Sequence, residues 1–317
     1  MTSCKILRKY AVWTVVTIIC FWSLQSYSTD RARKSDTQSN PTTAPTGATY
    51  VGSEQCKQCH ENEFNKVKGT KHFRALGLSG DAEVAGKDVH GCESCHGPGS
   101  AHVEAGGDKT KIFSFKNVKS DDVTARCLEC HENNQDHQAF QSSKHSRAGV
   151  TCTSCHTVHD AKDPSQLIQK DPGLCYTCHA KEKAAFMKPF HHRVNEGLVK
   201  CSDCHNVHGG NVEHQLRSTG SEDAVCFQCH SEKRGPFVFE HAPVKTEGCS
   251  ACHSPHGSNN PRLLTRARVN TLCLGCHSAL SGGMNSGNNH SQNTARQNCI
   301  ACHSQIHGSN SNTRFFK

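Results

Sequence analysis

Ten times over, this chain reads Cys-x-x-Cys-His. The first cysteines are Cys56, Cys92, Cys127, Cys152, Cys175, Cys201, Cys226, Cys249, Cys273 and Cys299. The second are Cys59, Cys95, Cys130, Cys155, Cys178, Cys204, Cys229, Cys252, Cys276 and Cys302. Each unit closes on a histidine: His60, His96, His131, His156, His179, His205, His230, His253, His277 and His303. A bare C-x-x-C suits structural zinc or a dithiol redox centre, but neither requires a histidine directly after the second cysteine. With 24 histidines in 317 residues, chance does not put one there ten times out of ten. The pattern is the attachment signature of c-type haem. Two thiols become thioethers to the haem vinyl groups, and the following imidazole lies under the iron as its first axial ligand.

Covalent haem also answers a deficit in composition. The apolar fraction is 34% with cysteine counted in. Without the 22 cysteines it falls to roughly 27%, against about 45–50% apolar, glycine included, in ordinary globular chains. Large apolar cofactors would supply the missing core, and the chain is expected to stay unfolded without them, as small metal domains do without metal. The formal charge of +8 falls to about +5 without Lys5, Arg8 and Lys9. That excess balances haem propionates, which carry negative charge unless protonated or paired. No phosphate loop or nucleic-acid motif accompanies the basic residues, so no nucleic-acid partner is expected.

Residues 1–28 read as a secretory signal: a basic start, an apolar stretch from Ala11 to Trp22, and small residues Ser26 and Ser28. The alternatives are an uncleaved anchor, for which about 12 apolar residues is short of the ~20 that span a bilayer, and lipidation at Cys20, which Ile19 before it disfavours. Residues 29–49 are polar, carry Pro41 and Pro45, and read as a disordered tether. Residues 50–317 form the array.

The ten units fall into five pairs, starting at Cys56, Cys127, Cys175, Cys226 and Cys273, with steps of 71, 48, 51 and 47 residues. Around each second unit the spare histidines recur. His72, His145, His192, His241 and His290 precede it; His102, His159, His208, His256 and His307 follow it. These ten match ten irons in need of a second ligand. A histidine three residues past a proximal one is too close to reach the other face of the same haem, so it is expected to ligate a neighbour and stitch the array together. His90, His137, His191 and His214 fall outside the pattern and read as surface or propionate contacts. Methionine, the ligand that raises haem potentials, is represented after the leader only by Met187 and Met284. Bis-histidine ligation with low potentials follows.

A repeat of this period implies a linear architecture with nearest-neighbour contacts. The expected fold is a multihaem c-type cytochrome: mostly irregular chain with short α-helices wrapped around a linear array of ten haems, and almost no β. Helices are expected at 61–76, 121–131, 174–187 and 222–232.

The stretch from Val51 onward resembles the decahaem c-type cytochromes of the MtrA/DmsE/PioA type. The resemblance rests on GVTCTSCHTVHDAKDP at 149–164, CSDCHNVHG at 201–209, EKRGPFVFEHAPV at 232–244, CHSPHGSNNPRLL at 252–264 and CHSQIHGSN at 302–309. It covers about 267 residues and all ten units; the first pair departs from it by its longer spacing. The resemblance implies a periplasmic electron carrier fed by periplasmic or inner-membrane cytochromes. It also implies seating in an outer-membrane β-barrel porin and delivery to an extracellular multihaem cytochrome. The alternatives are a soluble periplasmic shuttle and a multihaem reductase of a small oxyanion. A reductase needs an iron with an open position, marked in pentahaem nitrite reductases by C-x-x-C-K; all ten units here end in histidine.

Overall fold

The computed structural model describes residues 45–78, 89–134, 137–161, 163, 165–218, 220–277 and 297–316. The expected signal segment, Cys20, most of the tether, His290 and Met284 lie outside them. Thr49 and Ser100 exchange hydrogen bonds at 2.9 and 3.1 Å.

Helices are short, and the haem motifs punctuate them. The expected helix at 61–76 is two, Glu61–Val67 and Lys71–Ala75. That at 174–187 is also two, Gly173–Tyr176 and Ala180–Phe186. The segment 222–232 winds as tighter 3₁₀ turns, Glu222–Gln228 and Ser231–Lys233. Only Ser120–His131, 12 residues, runs through its motif unbroken. Two of these breaks have a local cause: His179 and His230 leave helical geometry, with ψ of 61 and 49°, and each opens the next helix as its N-cap residue. His60 does the same ahead of Glu61–Val67, with ψ of 41°.

Pairing between extended segments is limited, among the described residues, to isolated bridges. Three repeat one another, joining the proximal histidine of a second unit to a leucine eleven residues on: His156 to Leu167, His205 to Leu216 and His253 to Leu264. Two more, Phe190 to Ser258 and Phe239 to Ser309, tie one repeat to the next. The buried apolar side chains among the described residues are few and scattered, Val67, Phe113, Val123, Phe140, Phe186, Val194 and Val225. Side chains therefore supply little core, as the composition requires. None of the described helices is long and apolar enough to cross a membrane.

Candidate functional site

Each motif is a single helical turn. The N–H of the closing histidine donates to the carbonyl of the first cysteine four residues back, as in His60 to Cys56 (2.9 Å), His96 to Cys92 (3.1 Å) and His253 to Cys249 (3.0 Å). Positions i, i+3 and i+4 share one face of such a turn, so both thiols and the imidazole are offered to the same cofactor.

The second feature is long-range. Nine of the ten proximal histidines face another imidazole at nearly constant separation. Ring centroids lie 6.2 Å apart for His60 and His102, 6.1 Å for His96 and His159, and 6.0 Å for His131 and His72. The value is 6.1 Å for both His156 with His208 and His179 with His145, and 5.9 Å for His205 with His256. His230 with His192 and His277 with His241 stand at 6.3 Å, and His253 with His307 at 6.1 Å. Metal–imidazole bonds are about 2.0–2.1 Å; adding roughly 1.1 Å from nitrogen to ring centre on each side puts two trans imidazoles on one metal about 6.2 Å apart. The observed pairs fit that spacing. The partner expected for His303 is His290, outside the described residues.

The partners are exchanged between repeats. The histidine preceding a second unit faces the first unit of the next pair: His72 faces His131, His145 faces His179, His192 faces His230 and His241 faces His277. The histidine following a second unit faces back to the second unit of the previous pair, as His159, His208, His256 and His307 do. Among the described residues one pair closes on itself, the first, through His60 and His102.

Hydrogen bonds at Nδ1 orient these rings and leave Nε2 for a metal, the usual arrangement around a ligating histidine. Proximal His96, His156, His205, His253 and His303 donate to the carbonyls of Phe113, Ser165, His214, Arg262 and Arg314, at 2.9, 2.9, 2.9, 2.8 and 2.5 Å. Two of these carbonyls sit at left-handed residues, with φ +56° at His214 and +58° at Arg262, and Ser165 is followed by left-handed Gln166 at φ +58°. The left-handed turn swings the carbonyl back onto the imidazole. Among the partner histidines, His145 donates to Val207 O at 2.9 Å, His192 to Pro255 O at 2.7 Å, and His241 to Ile306 O. Those acceptors immediately precede His208, His256 and His307. The forward-reaching and backward-reaching ligands thus brace each other where they cross. Gly209, Gly257 and Gly308 complete the crossing: a Cβ there would run into Ala139 O, Ala185 O and the Phe237 ring of the preceding repeat. These bracing carbonyls and the glycine seats are what sequence reasoning missed. The recurring Val-His-Gly, Pro-His-Gly and Ile-His-Gly triplets carried the signal.

Burial holds the imidazoles of His96, His159, His241, His256 and His307 below the ordinary histidine pKa. That favours the neutral form, the one that binds metal. The cysteines also meet in order. Within pairs the first cysteines are hydrogen-bonded neighbours: Cys56 with Cys92, Cys127 with Cys152, Cys175 with Cys201, Cys226 with Cys249 and Cys273 with Cys299. The bond from Cys56 draws Cys92 down to about 6, and that from Cys127 draws Cys152 down to about 7. Between pairs burial first, and then the thiols of the next motif, raise the pKa of the second cysteine: Cys95 against Cys130, Cys155 against Cys175 and Cys178, Cys204 against Cys226 and Cys229, and Cys252 against Cys276. Motif follows motif from first to last. Ser53, Asp171 and Asp223 pin the two motifs of a pair together by accepting the N–H of Cys92 (3.1 Å), Cys201 (3.3 Å) and Cys249 (2.8 Å).

A cavity of about 5400 Å³ runs past all ten motifs and the facing histidines. An ordinary small-molecule site occupies about 300–1,000 Å³, so this space fits several large cofactors end to end, and the donor set fits covalent haem. The histidines outside the pattern have other work. His90 stacks on Tyr50 at 3.7 Å. His191 is held between Lys188 O (2.6 Å) and Glu196 (3.1 Å). His214 is exposed, lies 3.7 Å from Glu213 through Nε2, and offers its carbonyl to His205. His137 lies between His131 and His208. Met187 is 73% exposed.

Comparison with known proteins agrees with this chemistry. A family model for the doubled CXXCH motif matches residues 191–235 and 241–282, and one for the NrfB-like cytochrome c-type protein matches residues 92–174. The multiheme cytochrome MtrA of Shewanella baltica is 36% identical over 269 residues, 82% of this chain and 79% of that one. The C-type polyheme cytochrome OmcB of Geobacter sulfurreducens is 25% identical over 74% of this chain and 29% of its own length. The cytochrome c-type protein NrfB of Escherichia coli is 26% identical over 45% of this chain and 81% of its own.

Proposed function

The chain belongs to the MtrA-type multihaem c-type cytochromes, and from that premise we propose that it is a ten-haem electron wire, working from the periplasm inside an outer-membrane β-barrel porin. The observation that carries the reading is the near-constant spacing of about 6 Å between facing imidazoles along the chain. When bound, each haem supplies one-electron chemistry, its iron alternating between ferric and ferrous. The polypeptide does the rest. Its twenty motif cysteines attach the cofactors, and the backbone bonds to Ser53, Asp171 and Asp223 hold paired motifs side by side. Its proximal histidines together with His72, His102, His145, His159, His192, His208, His241, His256, His290 and His307 would hold the irons, two imidazoles to each. Closed irons favour a carrier over a reductase, because a reductase must leave a position for substrate.

Residues 1–28 serve export, and residues 29–49 serve as a tether in the periplasm. A chain carrying haem propionates and exposed irregular backbone cannot face lipid, where unsatisfied polar groups are expensive. A barrel supplied by another chain resolves that, since outer-membrane barrels reach more than 20 strands. One end then receives electrons from periplasmic or inner-membrane cytochromes, and the other exchanges them with an extracellular multihaem cytochrome or another external acceptor or donor.

The test is reconstitution of the haem-loaded protein with its barrel in liposomes that enclose a reduced dye. An external acceptor too large to cross should be reduced only when both proteins are present. Equal oxidation with the barrel alone, or failure of the two to co-purify, would make the protein a soluble periplasmic shuttle.

A further inference from the structure

The charges of this chain are sorted along it. Residues 50–248, with seven motifs, hold 26 Asp and Glu against 24 Lys and Arg. Residues 249–317, with three motifs, hold six Lys and Arg and no Asp or Glu. Of those six, Arg262, Arg266, Arg268 and Arg314 are exposed. Every haem brings the same two propionates, so the cofactors do not level the difference.

The contacts place the boundary at the fifth pair. Asp223, three residues ahead of Cys226, accepts the N–H of Cys249 at 2.8 Å, so a carboxylate still serves the eighth motif. Glu247 acts on the same motif through Cys252. Ser53 holds the corresponding place ahead of Cys56 and accepts the N–H of Cys92. Three residues ahead of Cys273 the chain has Asn270, which is neutral. Two carboxylates of the preceding repeat come toward this end, and each has a lysine. Glu240, next to His241, pairs with Lys245. Glu232, whose charge reaches His307, lies 3.9 Å from Lys233.

The ferric iron carries one more positive charge than the ferrous. A nearby carboxylate therefore favours the ferric state, and a nearby cation, or one that neutralises a propionate, favours the ferrous. We propose that the fifth pair, at Cys273 and Cys299, is the high-potential end of the array, and that Asn270, at the position Asp223 fills one pair earlier, helps to make it so. This rests on the ten-haem reading above. Electrons entering the array collect on the ninth and tenth haems before they fill the other eight.

The experiment is a redox titration of the full-length haem-loaded protein, followed by absorbance and electron paramagnetic resonance. Intact mass gives haem content and the wild-type spin state gives ligation, so a failure of the ten-haem, bis-histidine reading is visible separately from a failure of this one. The facing rings stand at 9° at His277 but at 68, 77 and 60° at His131, His179 and His230. Crossed imidazoles give a strongly anisotropic low-spin signal, distinct from the rhombic signal of parallel ones. The first two electrons should remove rhombic signal at the ninth haem and leave at least three haems' worth of the anisotropic signal. Asn270→Asp should move one to two haems' share of the amplitude from the high-potential limb to lower potential, with haem content and spin state unchanged. Asp223→Asn should move about one haem's share upward. Arg266→Gln combined with Arg268→Gln, both on the surface, should lower the same limb at low salt and less at high salt, because exposed charges are screened over about 10 Å at 0.1 M. That variant decides the matter if Asn270→Asp does not fold. A high-potential limb that superimposes on wild type in the folded variants overturns the proposal, and so does loss of the anisotropic signal with the first two electrons.

Discussion

At the residue scale the crossing triplets are the most exposed to substitution. Gly257 has φ +155°, and a Cβ on it would overlap Ala185 O, while its neighbours Pro255 and His256 hold His192 and face His205. Gly257→Ala must therefore push the whole triplet away from the preceding repeat. Overpacking of this kind typically costs about 1–3 kcal/mol. Here it should also loosen ligation at two motifs, giving a high-spin ferric signal by electron paramagnetic resonance together with a lowered denaturation midpoint. Gly197 is the control. It has φ +76° with nothing within 4 Å of a Cβ, so Gly197→Ala should cost only backbone strain of about 1–2 kcal/mol and leave the spin state unchanged. The glycines of the crossings were legible in the sequence as letters, but not as seats. What makes them necessary is a group of the preceding repeat some seventy residues away, a carbonyl at Gly209 and Gly257 and a phenyl ring at Gly308.

At the scale of elements the motif turn was fully legible, because C-x-x-C-H fixes one helical turn whatever surrounds it. The segments between motifs were less so. Periodicity suggested unbroken helices at 61–76 and 174–187; the chain breaks at Lys68–Thr70 in the first and at Thr177–His179 in the second. In the second the proximal histidine has to leave the helix axis, and a tertiary requirement outweighs local propensity. The angles between facing rings show the same tertiary control. They are 20, 30, 22, 19 and 9° at the motifs of His60, His96, His156, His253 and His277, but 68, 77 and 60° at those of His131, His179 and His230, with His205 between at 52°. Nearly parallel axial imidazoles split the iron d-orbitals that point between the ligands; crossed ones leave them nearly degenerate. The oxidised protein should therefore give two families of low-spin signal, a rhombic set and a smaller, strongly anisotropic set. A single rhombic family would mean that the crossed rings rotate into line.

At the scale of the whole molecule the order of the motifs decides how electrons travel. The sequence displayed ten attachment sites and ten spare histidines at fixed offsets, yet offsets alone leave open which imidazole serves which motif, since both neighbours are within reach of the chain. The structure gives one rule among the described residues, forward from before the second unit and backward from after it, and with the bonds that join paired motifs it orders the motifs in a single file. Single file has a kinetic consequence. If each carrier passes electrons only to its neighbours, one altered site in the middle limits the whole path, whereas a branched cluster would route around it. His256→Met tests this, because methionine in place of histidine raises a haem's potential. An electron then sinks at the motif of His205 and must climb to leave; each 59 mV of one-electron shift slows that onward step by about tenfold. Through-transfer to an external acceptor in the reconstituted liposomes should fall by at least an order of magnitude, while haem content and complex formation with the barrel stay as in wild type. Unchanged through-transfer, with the raised potential verified by titration, would show a second route around the altered site and would refute the single-file order.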